Sequence, residues 1–275
     1  MNFIEKLELA QHKNNSLLCV GLDPVLERIP DLCRQSAEPF FAFNRALIDA
    51  TADLVCAYKP QIAHYAACGV EAELLSTISY VRENYPHIPV ILDAKRGDIG
   101  STAEKYALEA FERYQADAVT VNPYLGGDSL EPFLNYAEKG VVILCRTSNP
   151  GGGDLQGLEI DGEALYLKLA RLAATSWNKN QNILLVVGAT WPDELAKVRK
   201  IVGEIPLLVP GIGAQGGDLE AVLKAGLDGE GRGLVINSSR GIIYASSGDD
   251  FAAAARRASL ELRDAINVCR KSQTV

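Results

Sequence analysis

The chain has 275 residues, 48% of them hydrophobic, enough for a sizeable core, and α/β barrels reach this length as single domains. Its 35 acidic and 27 basic residues give a net charge of -8 with no Lys/Arg run. This argues against a nucleic-acid partner but leaves room for a local basic pocket around a small anion. No uncharged apolar run approaches a membrane span. The six cysteines (Cys19, Cys33, Cys56, Cys68, Cys145, Cys269) are scattered without a CxxC pair. Neither a disulfide framework nor a zinc site is expected, and the usage suits a cytoplasmic protein.

In chain order, residues 1–15 carry Glu5, Lys6 and Glu8 among apolar residues and predict a short amphipathic helix, not a signal peptide. Eight apolar, β-rich runs follow: SLLCVGLD (16–23), LVCAYKP (54–60), PVILDAK (89–95), AVTVNPY (118–124), GVVILCRTSN (140–149), ILLVVGAT (183–190), PLLVPGIG (206–213) and GLVINSSR (233–240). They are nearly continuous rather than alternating, as in parallel strands buried on both faces. Segments between them, such as AEKYALEAFERY and LYLKLARLAATSWNK, repeat apolar residues at three- and four-residue steps and predict helices. Eight strand–helix units predict one α/β domain over 1–275, a (β/α)8 TIM barrel. A doubly wound sheet is the main rival. The glycine-rich NPGGGDLQGLEIDG (149–162) is long for a barrel loop, and reads as a mobile lid or as a surface insertion. A second glycine-rich stretch, GLDGEGRG, spans 226–233.

Active sites in this fold sit at the C-terminal ends of the strands. The polar residues closing the runs are therefore candidates: Asp23, Lys59, Asp93, Lys95, Asn122, Ser148, Gln215 and Arg240. The third run ends in LDAKRGDIGSTA (92–103), with Asp93, Lys95 and Asp98 close together. On a strand, residues i and i+2 share a face, so Asp93 and Lys95 are expected to point into the mouth, near Lys59. Two carboxylates about 4 Å apart repel by about 4 kcal/mol at an effective dielectric near 20. A substrate carboxylate beside Asp93 would be pushed out as CO2, and Lys95 could protonate the carbon left behind. The competing readings are a solvated charge run and, for Arg96-Gly97-Asp98, an adhesion tripeptide, which would need an exposed extracellular loop.

After the seventh run, Gly211, Gly213 and Gly216 match the dinucleotide pattern GxGxxG. That pattern normally opens a βαβ unit, whereas loops seven and eight of a barrel commonly bind a phosphate. The position favours a monophosphate, with Arg240 as a bidentate partner; glycines that serve only tight turns remain the alternative. His12, His64 and His87 lack metal-ligand spacing, and His64 reads as structural.

Across nearly the whole chain the sequence resembles the orotidine 5'-phosphate decarboxylase family, in its longer bacterial (type 2) subgroup. The motifs are GLDP (21–24), KPQ (59–61), LDAKRGDIGSTA (92–103), NPY (122–124), TSNPG (147–151), PGIGAQGGD (210–218) and NSSRGI (237–242). The resemblance implies decarboxylation of orotidine 5'-monophosphate to UMP, without metal or organic cofactor. It implies that Asp93 faces the substrate carboxylate, that Lys95 protonates C6, and that Lys59 contacts ribose and holds the network. Asp98 would reach into the neighbouring subunit's site and Thr102 would join it on the ribose, in a homodimer. Asp23 would bind a ribose hydroxyl, Ser148 would read the base, and Gly213, Gln215 and Arg240 would grip the phosphate. The sequence departs from the family at His64 and Ala66, where an aromatic and an acid are expected. Rival functions are a Mg²⁺-dependent sugar-phosphate decarboxylase or synthase of the same barrel type, a non-catalytic phosphate-ligand binder, and a nucleotide-cofactor oxidoreductase resting on GxGxxG alone.

Overall fold

The computed structural model describes residues 1–212 and 217–273. Each of the eight apolar runs contains one strand: β1 (Leu18–Leu22), β2 (Ala57–Pro60), β3 (Ile91–Arg96), β4 (Ala118–Val121), β5 (Gly140–Arg146), β6 (Ile183–Val187), β7 (Leu207–Pro210) and β8 (Leu234–Ser238). All neighbours are parallel, in the order β2-β1-β8-β7-β6-β5-β4-β3. Two single bridges, Tyr58 with Val90 and Gln61 with Asp93, close the ring between β2 and β3. The result is the expected (β/α)8 barrel, and the doubly wound alternative is set aside.

Strict alternation along each strand divides the apolar residues into two cores. Outward residues such as Leu18, Val20, Val119 and Ile143 pack beneath the surrounding helices. Inward residues Cys19, Ala57, Ile91, Ala118, Val142, Leu184 and Val235 fill the barrel, joined by Phe3 and Leu7. Those two come from the N-terminal helix α1 (Phe3–Lys13), which seals the lower end. Asn2 and Glu5 form a capping box that starts α1. The Phe3 ring lies against Gly140, where an added Cβ would sit 2.7 Å from its Cγ, so only glycine leaves room. Lys6 pairs with Asp117 at 2.8 Å, and Gln11 donates to the Leu234 carbonyl at 3.0 Å.

Around the barrel run α2 (Pro39–Thr51), α3 (Glu71–Asn84), α4 (Gly100–Leu108), α5 (Gly127–Leu134), α6 (Leu165–Leu172), α7 (Pro192–Val202), α8 (Leu219–Gly226) and α9 (Phe251–Gln273). The two predicted helical segments correspond to α4 and α6, each prolonged by a wider turn at 109–113 and 173–177. The 149–162 loop holds a 3-10 turn (Pro150–Asp154) and a small hairpin of Glu159–Ile160 with Glu163–Ala164. No helix among the described residues is long and apolar enough to cross a membrane.

Candidate active site

A cavity of about 500 Å³ opens at the C-terminal ends of the strands. It lies one step above the inner core, because each inward position recurs after two residues. On β5, β6 and β7 that geometry presents Leu144, Val186 and Leu208 to the cavity, an apolar side. On β2, β3, β4 and β8 it presents Lys59, Asp93, Thr120 and Asn237. One barrel mouth thus has an oily wall facing a charged one.

The charged wall is built around Asp93. Lys59 Nζ lies 2.7 Å from its Oδ2, and Lys95 Nζ lies 2.7 Å from its Oδ1. Thr120 Oγ1 donates to the same Oδ1 at 2.9 Å. The Lys59 side chain is 6% exposed and that of Lys95 47%, so one lysine is buried and the other reaches open space. Burial alone would raise the Asp93 pKa, but Lys59 and then Lys95 hold the carboxyl well below its ordinary value. Burial alone would lower the Lys59 pKa, but Asp93 and then Asp23 hold it above its ordinary value. Both groups are charged at neutral pH. Directly below, burial pushes the Cys19 thiol up to about 12, so it stays protonated.

The sequence expectation that Asp93 and Lys95 share a side is met, by a different route. Lys95 has φ of +46°, and the pairing of β3 with β4 shifts between Leu92 and Arg96. The strand is bulged, a device that re-aims a side chain. Thr120 Oγ1 supports the bulge by accepting from the backbone N–H groups of Ala94 (2.9 Å) and Lys95 (2.8 Å). Thr120 was missed because it sits inside an apolar run; its inward place two residues after Ala118 was the available signal. Asn122, chosen as the polar closer of that run, instead accepts from Tyr124 N at 3.0 Å and does not line this cavity.

Asp23 follows β1. Its Oδ2 accepts from Ser239 Oγ at 2.7 Å, while its Oδ1 is buried without a hydrogen-bond partner. Ser148 and Arg240 line the cavity, Arg240 as the exposed first residue of a short helix after β8. Gly213 and Gln215 lie outside the described residues; Gly211 and Ile212 beside them line the cavity. Asp98 and Thr102 are not brought into it. Asp98 accepts from Ile99 N at 2.8 Å just before α4, and Thr102 is exposed on that helix. Three members of the expected Lys–Asp–Lys–Asp set therefore meet within one chain. Also unforeseen were Arg28, stacked 3.7 Å above the Tyr244 ring, and the cavity position of His64, whose Nδ1 is 3.0 Å from the Pro24 carbonyl.

Opposed charges locked at the C-terminal mouth of a parallel barrel are the arrangement of a barrel enzyme. The chain belongs to the orotidine 5'-phosphate decarboxylase / HUMPS family, whose profile matches residues 16–258. It is 62% identical to an orotidine 5'-phosphate decarboxylase of Cellvibrio japonicus over 272 residues, covering 98% of this chain and 100% of that one. A Dechloromonas aromatica protein of the same name is 60% identical, again over 98% and 100%. Among solved structures, Leishmania donovani OMP decarboxylase superposes with a TM-score of 0.86 at 42% identity, covering 98% of this chain and 99% of that one. The family resemblance read from the motifs is met.

Proposed function

We propose that the chain decarboxylates orotidine 5'-monophosphate to UMP and CO2 in pyrimidine nucleotide biosynthesis, with Asp93 and Lys95 performing the chemistry. The observation that carries this reading is a buried, ionised Asp93 gripped on one side by a buried lysine and on the other by a reachable one. A substrate carboxylate at C6, seated beside Asp93, meets a repulsion on the order of 4 kcal/mol at 4 Å. The C6–carboxylate bond breaks, CO2 leaves, and the electron pair stays on C6 in the plane of the ring. Lys95 Nζ stabilises that carbanion as a fixed positive charge and delivers the proton that completes UMP. Lys95 then regains a proton from water. The scheme uses no metal and no organic cofactor.

The remaining assignments follow the cavity from floor to rim. Leu144 and Val186 give the departing CO2 an apolar wall. Lys59 and Asp23 hold the ribose, Ser148 reads the base, and Arg240 with Gly213 and Gln215 holds the phosphate. Binding energy at the phosphate and ribose helps to place the carboxylate against Asp93. We take residues 1–275 as one barrel domain, working as a cytoplasmic homodimer without a nucleic-acid or membrane partner. Asp98 and Thr102 stand clear of their own cavity, beside an Ile99 that is 57% exposed, a placement that suits service in a partner's site.

The test is the loss of orotate absorbance from orotidine 5'-monophosphate in excess EDTA, with native protein and Lys95→Ala in parallel. Rapid loss with the native protein alone supports the scheme. An unchanged band with folded native protein sinks it, and activity on sugar phosphates that requires Mg²⁺ would put the rival in its place. For the shared site, mixing Asp98→Ala with Lys95→Ala should restore activity through hybrid dimers. No recovery after confirmed subunit exchange would rule it out.

A further inference from the structure

The glycine-rich loop after β5 covers a polar network that none of the steps above uses. We propose that Gln156 is a positioning residue for Ser148, acting through a clasp built on the buried Arg146; this rests on the nucleotide reading of Ser148.

Arg146 ends β5 and is 3% exposed. A guanidinium that deep needs partners on every side. Its Nε donates to Glu194 Oε2 at 2.6 Å, from the first turn of α7. Its plane lies 4.3 Å from the Trp191 ring. Its Nη1 donates to Gln156 Oε1 at 3.3 Å. Gln156 Oε1 also accepts from Thr147 N at 2.9 Å, and Gln156 Nε2 donates to Thr147 Oγ1 at 2.9 Å. That hydroxyl in turn donates to Asn149 Oδ1 at 2.6 Å. The Trp191 indole N–H donates to the Thr147 carbonyl at 3.0 Å. Residue 147 therefore has its N–H, hydroxyl and carbonyl all engaged, from the loop on one side and from the segment after β6 on the other.

Ser148 is the next residue along. Thr190 Oγ1 donates to its carbonyl at 3.2 Å, and Gly188 packs so closely that an added Cβ would lie 2.6 Å from Ser148 Cα. With its backbone held in this way, Ser148 lines the cavity. The clasp also accounts for glycine at 152. A Cβ there would lie 2.8 Å from Arg146 Nη1, 2.9 Å from Gln156 Oε1 and 2.9 Å from Thr147 Oγ1. The loop crosses the clasp by close backbone approach, a use of glycine distinct from flexibility.

The experiment is a cycle of Ser148→Ala, Gln156→Ala and the double variant, read as kcat and KM for orotidine 5'-monophosphate. Displacing a substrate-contacting group by about 1 Å costs up to about 100-fold, so Gln156→Ala should lower kcat/KM by roughly 10- to 100-fold. The double variant should be no worse than Ser148→Ala alone, because both remove the same contact. Gln156→Glu keeps the acceptor for Thr147 N and Arg146 and should recover most of the loss. If Gln156→Ala does not fold, Gly152→Ala takes its place, since its methyl pushes the loop off the clasp and should give the same coupling. Independent, multiplying losses, or near-native kcat/KM in Gln156→Ala, would overturn the clasp while leaving the decarboxylase reading intact. A native protein silent on the substrate would sink the nucleotide reading, and this assignment with it.

Discussion

The two ends of the barrel are built from the same strands and the same alternation, yet they do opposite work. At the lower end, inward residues such as Ala57, Ile91, Ala118 and Val235 pack against Phe3 and Leu7. Two residues further along those strands, about 7 Å at 3.3 Å per residue, stand Lys59, Asp93, Thr120 and Asn237. Below, the side chains gain by leaving water. Above, they sustain charge beside a cavity of about 500 Å³. On the proposed reading chemistry sits at the upper end alone, so substitutions at the lower end should cost stability without touching it.

The largest effect is expected at Lys95. Lys95→Ala removes the proposed proton donor and its fixed charge, and kcat should fall by about 10⁴-fold or more. Its side chain is 47% exposed, so thermal unfolding should change little. A large drop in midpoint would blur the separation of the two ends.

Asp93→Asn should affect both properties. It leaves Lys59 buried without its counter-ion, at a cost of about 3 kcal/mol, and abolishes the repulsion on which the proposed reaction relies. The pH dependence carries a sign. Asp93 is held below its ordinary value, so its contribution is full above an unfolded pKa of about 3.9 and fades as pH falls toward the folded value. Lys59 is held above its ordinary value, so its contribution is full below about 10.4 and fades as pH rises toward the folded value. Denaturant melts of the native protein should lose the pair's contribution outside roughly pH 4 to 10. Asp93→Asn should lack the acid-side loss attributable to this carboxyl.

Phe3→Ala tests the lower end. It opens a cavity beside Gly140 and should cost about 3 kcal/mol, with kcat unchanged at temperatures where the variant is folded. A lowered kcat would mean that the floor communicates with the mouth. The smallest effect concerns thiols. An alkylating reagent should modify exposed Cys68 in the native protein and spare Cys19, whose pKa is pushed up to about 12 by burial. Activity should survive that treatment, as measured by peptide mapping alongside the assay.

The strands were legible because barrel strands are buried on both faces and leave an apolar signature. Lys59, Asp93, Ser148 and Arg240 were legible because they end such runs. Thr120 and Asn237 were hidden for the complementary reason: each lies within its run, where alternation about a closed barrel decides which residues face the cavity. The bulge at Lys95 could not be read either, since a positive φ at a lysine is imposed by the turn and by Thr120 rather than by local propensity. Gln156 was masked by its glycine-rich surroundings, which suggested looseness where the fold required close contact.

The seal at the lower end also bears on how the protein is made. Helix α1 is synthesised before any strand, but Gln11 finds its Leu234 partner across 223 residues of sequence. At about 5–20 residues per second, its apolar face waits on the order of ten to forty-five seconds for the last strand. During that interval Phe3 and Leu7 have no barrel to enter, and their apolar surface stays in water.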